Sequence, residues 1–208
     1  MFLESVFLER SFEVDHSTVN RWILAYAPRN EKRLRQFRRP HSRSIRVDET
    51  YVKIRGTWRY IHRAIDKHGV PVDLSLTAKR NLDAAKRFVR KALKDEPLLG
   101  PQKIGTDGAK IYPTAIFDSA EAGLMPGKPM HRVSKHLQQG LESDHFHVKK
   151  NMPKIGAFQS FASAKRTVAG FEAMLWLKKG CGFASERTVR TQNELLVCCF
   201  GLRMVDKT

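Results

Sequence analysis

RVDETYVKIRGTWRYIHRAIDKHGVPVDLSL, residues 46–76, decides the fold. Arg46–Ile54 alternates, with Val47, Glu49 and Tyr51 on one side and Asp48, Thr50 and Val52 on the other, the period of a β-strand. Trp58–Ile65 predicts a second strand across a turn at Arg55-Gly56. Val70–Leu76 predicts a third after Lys67-His68-Gly69. Turns this short make the three a meander. Trp58 and Tyr60 are expected in the core on opposite faces of their strand, with stacking on DNA the less favoured alternative, and Asp66 and Asp73, flanking a turn, in water. Downstream the period lengthens. Asn81 caps a helix reaching about Leu93, with Leu82, Ala85, Phe88, Val89 and Ala92 turned inward. Lys103–Thr106 is a short strand ending at Asp107, followed by a helix around Tyr112–Ala120 and a strand near Met130–Val133. Helices over Leu141–Asn151, Ser160–Lys179 and about Arg187–Cys199 follow. In the second of these, Phe161, Ala164, Val168, Phe171 and Leu175 recur at helical spacing, with Trp176 beside them, and predict packing against the sheet. Three antiparallel strands followed by alternating helix and strand give an α/β fold, a sheet with helices on its faces.

Upstream, residues 3–26 read as helical. Ser17 caps a second helix, Thr18–Tyr26, and Pro28 stops it. Two short helices around a tight turn read as part of a helix-turn-helix. Residues 29–46 carry eight basic side chains against one acid, Glu31, and read as a linker that tracks phosphates. The whole chain is equally one-sided. Its 38 Lys and Arg against 21 Asp and Glu leave +17 over 208 residues, which points to nucleic acid as the partner. The longest apolar run, Leu195–Leu202, falls far short of the ~20 residues of a bilayer span. The opening MFLESVFL carries Glu4 and no basic leader. Three cysteines, two of them adjacent, make no disulfide framework. Membrane and secreted classes drop out, and a reducing cytosol fits.

Acids carry the candidate chemistry. Asp48 interrupts an apolar strand pattern, Asp107 ends another strand before Gly108, and Glu142 opens a helix. Acids are poor strand formers, so Asp48 invites a reason. Two-metal phosphoryl transfer supplies one, because hard Mg²⁺ ions need several converging carboxylates. Lys149, seven positions after Glu142, shares its helix face and is placed to hold a phosphate. Glu49 is the rival first acid, on the opposite strand face, and Asp144 the rival third. His131, His136, His145 and His147 lack the spacing of a zinc site.

These residues resemble a known pattern, the DDE arrangement of bacterial insertion-sequence transposases. The wording is closest to insertion-sequence family six, in VDHSTVNRW (14–22), RVDETYVKIRGTWRYIHRAIDKHG (46–69), KHLQQGLESDHFHVKKNMP (135–153) and GFEAMLWLKKG (170–180). The resemblance implies a ribonuclease-H-like core of mixed sheet flanked by helices (46–155), completed by C-terminal helices (156–208). A partial helix-turn-helix (1–28) and the basic linker (29–45) precede the core. It implies two Mg²⁺ ions, or Mn²⁺, held by Asp48, Asp107 and Glu142, with Lys149 on a phosphate and His145 beside the triad, near substrate or water. Duplex DNA, both element ends and target, is the implied partner, met by Ser17, Thr18, Asn20 and Arg21 and by Arg33, Arg35, Arg38 and Arg39. The protein is then expected to act as a homo-oligomer on DNA in the bacterial nucleoid. Relatives continue upstream of the position of Met1. A shortened chain that only binds DNA, with little sequence preference, is therefore the alternative expectation.

Overall fold

The computed structural model describes residues 13–37, 41–94, 100–125, 127–133, 158–179 and 188–201. Its elements run α1 (His16–Arg35), β1 (Ser44–Ile54), β2 (Thr57–Asp66), β3 (Pro71–Thr77), α2 (Leu82–Lys94), β4 (Lys103–Thr106), α3 (Ile111–Glu121), β5 (Met130–Val133), α4 (Phe161–Lys179) and α5 (Val189–Phe200). The expected helix over Leu141–Asn151 lies outside the described residues, as do residues 3–12 of the first expected helix.

The meander forms as its sequence predicts. β1 and β2 pair antiparallel, with Val47 opposite Ala64, Tyr51 opposite Tyr60 and Lys53 opposite Trp58. Arg55 and Gly56 make the turn, both at positive φ (47° and 77°), the backbone that matches strand twist in a two-residue hairpin. β3 pairs antiparallel with β2. The turn between them is built by the Asp66 carboxylate, which accepts from the backbone N–H of His68 at 2.8 Å and of Val70 at 2.9 Å. Asp66 and Asp73 are thus buried rather than in water. Asp73 accepts from Lys91 Nζ at 2.6 Å, a partner supplied by α2.

β4 joins β1 in parallel and β5 joins β4 in parallel, giving the order β3-β2-β1-β4-β5. Three antiparallel strands continued by two parallel ones make the mixed sheet of a ribonuclease-H-like core. Asn81 caps α2 through Oδ1, which accepts from Ala84 N–H at 3.0 Å. α2 and α3 lay Ala85, Phe88, Val89, Tyr112 and Ile116 over Ile45, Val47, Ala64, Val72 and Ile104. Each large apolar side chain so buried contributes about 1.5–3 kcal/mol.

The chain divides into two compact units, Arg39–Ala164 with the sheet, and Met1–Arg38 together with Lys165–Thr208. The helix boundaries expected in the second unit are corrected. α1 runs through Pro28 to Arg35, so residues 29–35 are helical. Its cap is Asp15, not Ser17: the Asp15 carboxylate accepts from Ser17 N–H at 2.7 Å and Thr18 N–H at 2.9 Å. An interior proline costs a helix about 3 kcal/mol. Contacts beyond Pro28 offset it. Leu34 is fully buried against Ala173, Trp176, Leu195 and Cys199, and Arg33 Nη1 donates to the Cys199 carbonyl at 2.6 Å. In the same unit the distal half of α4 and α5 form a cluster with α1.

Candidate active site

Asp48 and Asp107 meet through strand register. β1 and β4 run parallel with Val47 paired to Thr106. The next residue on each chain is the acid, so the two stand at neighbouring positions at one end of the sheet. Asp48 is buried, and its Oδ1 accepts from Glu49 N–H at 2.7 Å. In register across from it on β2 is Arg63, also buried. Asp107 leaves β4 into a tight turn, where its Oδ1 accepts from Ala109 N–H at 3.0 Å. Gly108 sits at φ 95°, and a side chain there would begin 3.0 Å from Val133 Cγ1, so only glycine suits the turn.

On the other face of β1 lies a polar cluster that the sequence did not disclose. The Glu49 carboxylate is ion-paired with Arg80, and its Oε2 lies 3.5 Å from His62 Nδ1. His62 is enclosed, its ring stacked on Phe88, with Nδ1 2.9 Å from the Tyr112 hydroxyl and Nε2 3.1 Å from Thr77 Oγ1. Burial pushes the His62 imidazole down to about 4, and the nearby Arg80 charge acts in the same direction. Burial also raises Glu49, against the opposing pull of Arg80, and raises the Tyr112 hydroxyl. Above this cluster opens a cleft of about 530 Å³ lined by Glu49, Tyr51, Trp58, Tyr60, Arg80 and Asp107. Asp107 therefore borders the cleft, while Asp48 does not line it. Trp58 and Tyr60 share one strand face, as the two-residue period requires, and Trp58 is 53% exposed; neither the opposite-face nor the core expectation for Trp58 holds. No sequence signal marked Arg80. The aromatic set was within reach, because a two-residue turn at 55–56 puts Tyr51 opposite Tyr60 and Lys53 opposite Trp58.

Glu142, Lys149, His145, Arg38 and Arg39 lie outside the described residues, as does the side chain of Asn20. Ser17 and Thr18 form the first turn of α1, and Arg21 donates to Thr18 Oγ1 at 2.8 Å. Arg33 and Arg35 make contacts within their own unit. The Arg33 guanidinium stands 4.7 Å from the Phe200 ring centroid, and Arg35 bonds Glu31 (Nε–Oε1 3.1 Å) and stands 5.6 Å from the Trp176 ring. His131 Nε2 lies 2.9 Å from Thr106 Oγ1. Among the described residues no three His, Cys, Asp or Glu side chains cluster as a metal site, and no helix is long and apolar enough to cross a membrane.

A family model described as a DDE domain matches residues 42–181, the stretch that contains both register-paired aspartates. The chain belongs to insertion-sequence family six of the DDE transposases. It is 34% identical over 178 residues to the transposase for insertion sequence-like element IS431mec of Staphylococcus aureus, covering 85% of this chain and 76% of that one. Identity is 35% over 171 residues with the transposase for insertion sequence element IS257 in transposon Tn4003 of the same species, covering 82% and 73%. Among solved structures, the HTLV-2 integrase catalytic core domain in complex with magnesium is similar at a TM-score of 0.45 and 17% identity, covering 74% of this chain and 94% of that one.

Proposed function

We propose that this transposase cuts DNA at the 3′ ends of an insertion sequence and joins the freed 3′-hydroxyls to target DNA, with Asp48, Asp107 and Glu142 as the acids of the site. The observation that carries the reading is the pairing of β1 with β4, which sets two acids from distant parts of the chain side by side at one sheet end. Two carboxylates on adjacent strands are hard oxygen donors and suit Mg²⁺ or Mn²⁺. With Glu142 they would hold two such ions, which supply activation of the attacking oxygen and neutralisation of the leaving one. Gly108 lets the chain turn away directly after Asp107, leaving room for the substrate. In this reading Lys149 takes the role of a phosphate contact and His145 that of a group near the triad, toward substrate or water.

Glu49 does not compete for this role, because Arg80 already holds its carboxylate. DNA lies along the front of α1, at Ser17, Thr18, Asn20 and Arg21, and along Arg38 and Arg39. Arg33 and Arg35 serve it indirectly, by fixing the helix. Processing two element ends against one target calls for more than one copy of the chain on the DNA.

Cleavage of an end-labelled element duplex in Mg²⁺ tests the assignment. Asp48→Asn, Asp107→Asn and Glu142→Gln should each still bind DNA and lose on the order of 10³-fold or more in cleavage. Glu49→Gln should stay within about tenfold of the native rate, far from a loss of that size. Metal-dependent cleavage that persists in both aspartate variants would overturn the reading.

A further inference from the structure

The β1–β2 hairpin carries an aromatic corner that the cleavage chemistry does not use. By register, Val47 and Ala64, then Glu49 and His62, then Tyr51 and Tyr60, then Lys53 and Trp58 follow one another along a single sheet face. α2 and α3 cover the first two pairs, through Phe88 and Tyr112. At the aromatic pairs the face opens. Tyr51 is 58% exposed, and its ring meets that of Trp58 edge to face, with centroids 5.5 Å apart. Lys53 Nζ lies 5.6 Å from the Trp58 ring centroid. Two large aromatics held half in water, stiffened by their own contact and accompanied by a cation, border the same cleft as Asp107.

We propose that Tyr51 and Trp58 form a stacking platform for an unpaired nucleobase of the DNA strand being processed, with Lys53 on an adjoining phosphate. Three observations favour nucleic acid as the occupant over an apolar protein surface. The patch carries its own ammonium group, Arg80 lines the cleft beneath it, and the chain bears +17. A base must leave its stack before its face can meet an aromatic ring, because duplex DNA shows only base edges and backbone. The platform therefore selects frayed, flipped or single-stranded nucleotides. Its place beside Asp107 puts such a nucleotide next to the bond that is cut. The inference rests on the proposed cleavage reaction and adds to it a contact with a base.

The test compares two duplexes at fixed salt, one blunt and one with two unpaired 3′ nucleotides, the outer of them 2-aminopurine. The native chain should prefer the overhang and quench the probe. Trp58→Ala should abolish the quenching and weaken overhang binding by about 5- to 150-fold, the range that base–aromatic stacking spans. Blunt-duplex binding should be unchanged within about twofold. Trp58→Phe, which keeps a ring, should retain the preference and shows that loss in the alanine variant is not misfolding. Equal affinity of Trp58→Ala and the native chain for the overhang would overturn the platform. So would a Trp58→Ala chain that keeps the quenching but changes its sedimenting mass, since the patch would then be a contact between copies. Cleavage measured in parallel with Asp107→Asn separates the two readings: lost cleavage with an unaltered overhang preference in Trp58→Ala sinks the platform alone.

Discussion

His62 shows what one side chain contributes to both fold and site. It has no exposed surface, both ring nitrogens have partners, and burial holds its pKa near 4. In the unfolded chain the imidazole titrates near 6.5. Between those values the unfolded chain binds the extra proton, so stability rises with pH across that window and is lost as pH falls through it. By pH 5 the loss attributable to this residue should reach about 2 kcal/mol relative to pH 7.5. Urea unfolding at the two pH values checks it: His62→Gln should show a pH dependence smaller by that amount, and an equal dependence in both chains would refute the assignment. The sequence hides this residue. Its burial depends on Phe88 and Tyr112, which arrive from α2 and α3. Asp73 went unseen for the same reason, since its partner Lys91 lies on α2. Asp48 was legible because an acid within an apolar strand is an anomaly visible without any structure.

At the scale of elements, the hairpin was the most readable part and α1 the least. Alternation and a Gly at the second turn position define β1, β2 and their register locally. Arg55 occupies the first turn position at φ 47°, a backbone that ordinary side chains adopt only with strain. Arg55→Asn should therefore stabilise the sheet unit by a few tenths to about 1 kcal/mol, and Gly56→Ala should destabilise it by about 1–2 kcal/mol. Chemical denaturation midpoints of the two variants should move in opposite directions; a shared direction would mean that another turn geometry is present. α1 misled because Pro28 is a sound local stop signal. What carries the helix past it, Leu34 in its pocket and Arg33 on the Cys199 carbonyl, comes from segments more than 130 positions away. No local pattern reports that.

For the whole molecule, charge is the property most directly read from composition, but structure decides which charges are available. Arg33 and Arg35 belong to the run expected to neutralise phosphates, yet both are held inside their own unit. Each phosphate neutralised contributes about −0.9 to the slope of log K against log salt on duplex DNA. Arg33→Ala should leave that slope unchanged while lowering the thermal midpoint of the unit it belongs to. The calorimetric and salt-titration readouts are independent. A slope flattened by about one unit with an unshifted midpoint would return Arg33 to the DNA.

The pairing of β1 with β4 also bears on how the protein comes into being. The hairpin and β3 close contacts between near neighbours in the chain, whereas Ser44 meets Lys103 only after the whole meander and α2 have been made. Contacts of such long sequence separation form slowly because loop closure must precede them. On a ribosome, Asp48 emerges long before Asp107 can lie beside it. A nascent or partly refolded chain can therefore carry its hairpin while Asp48 and Asp107 are still apart, and the two are brought together only by the docking of a four-residue strand.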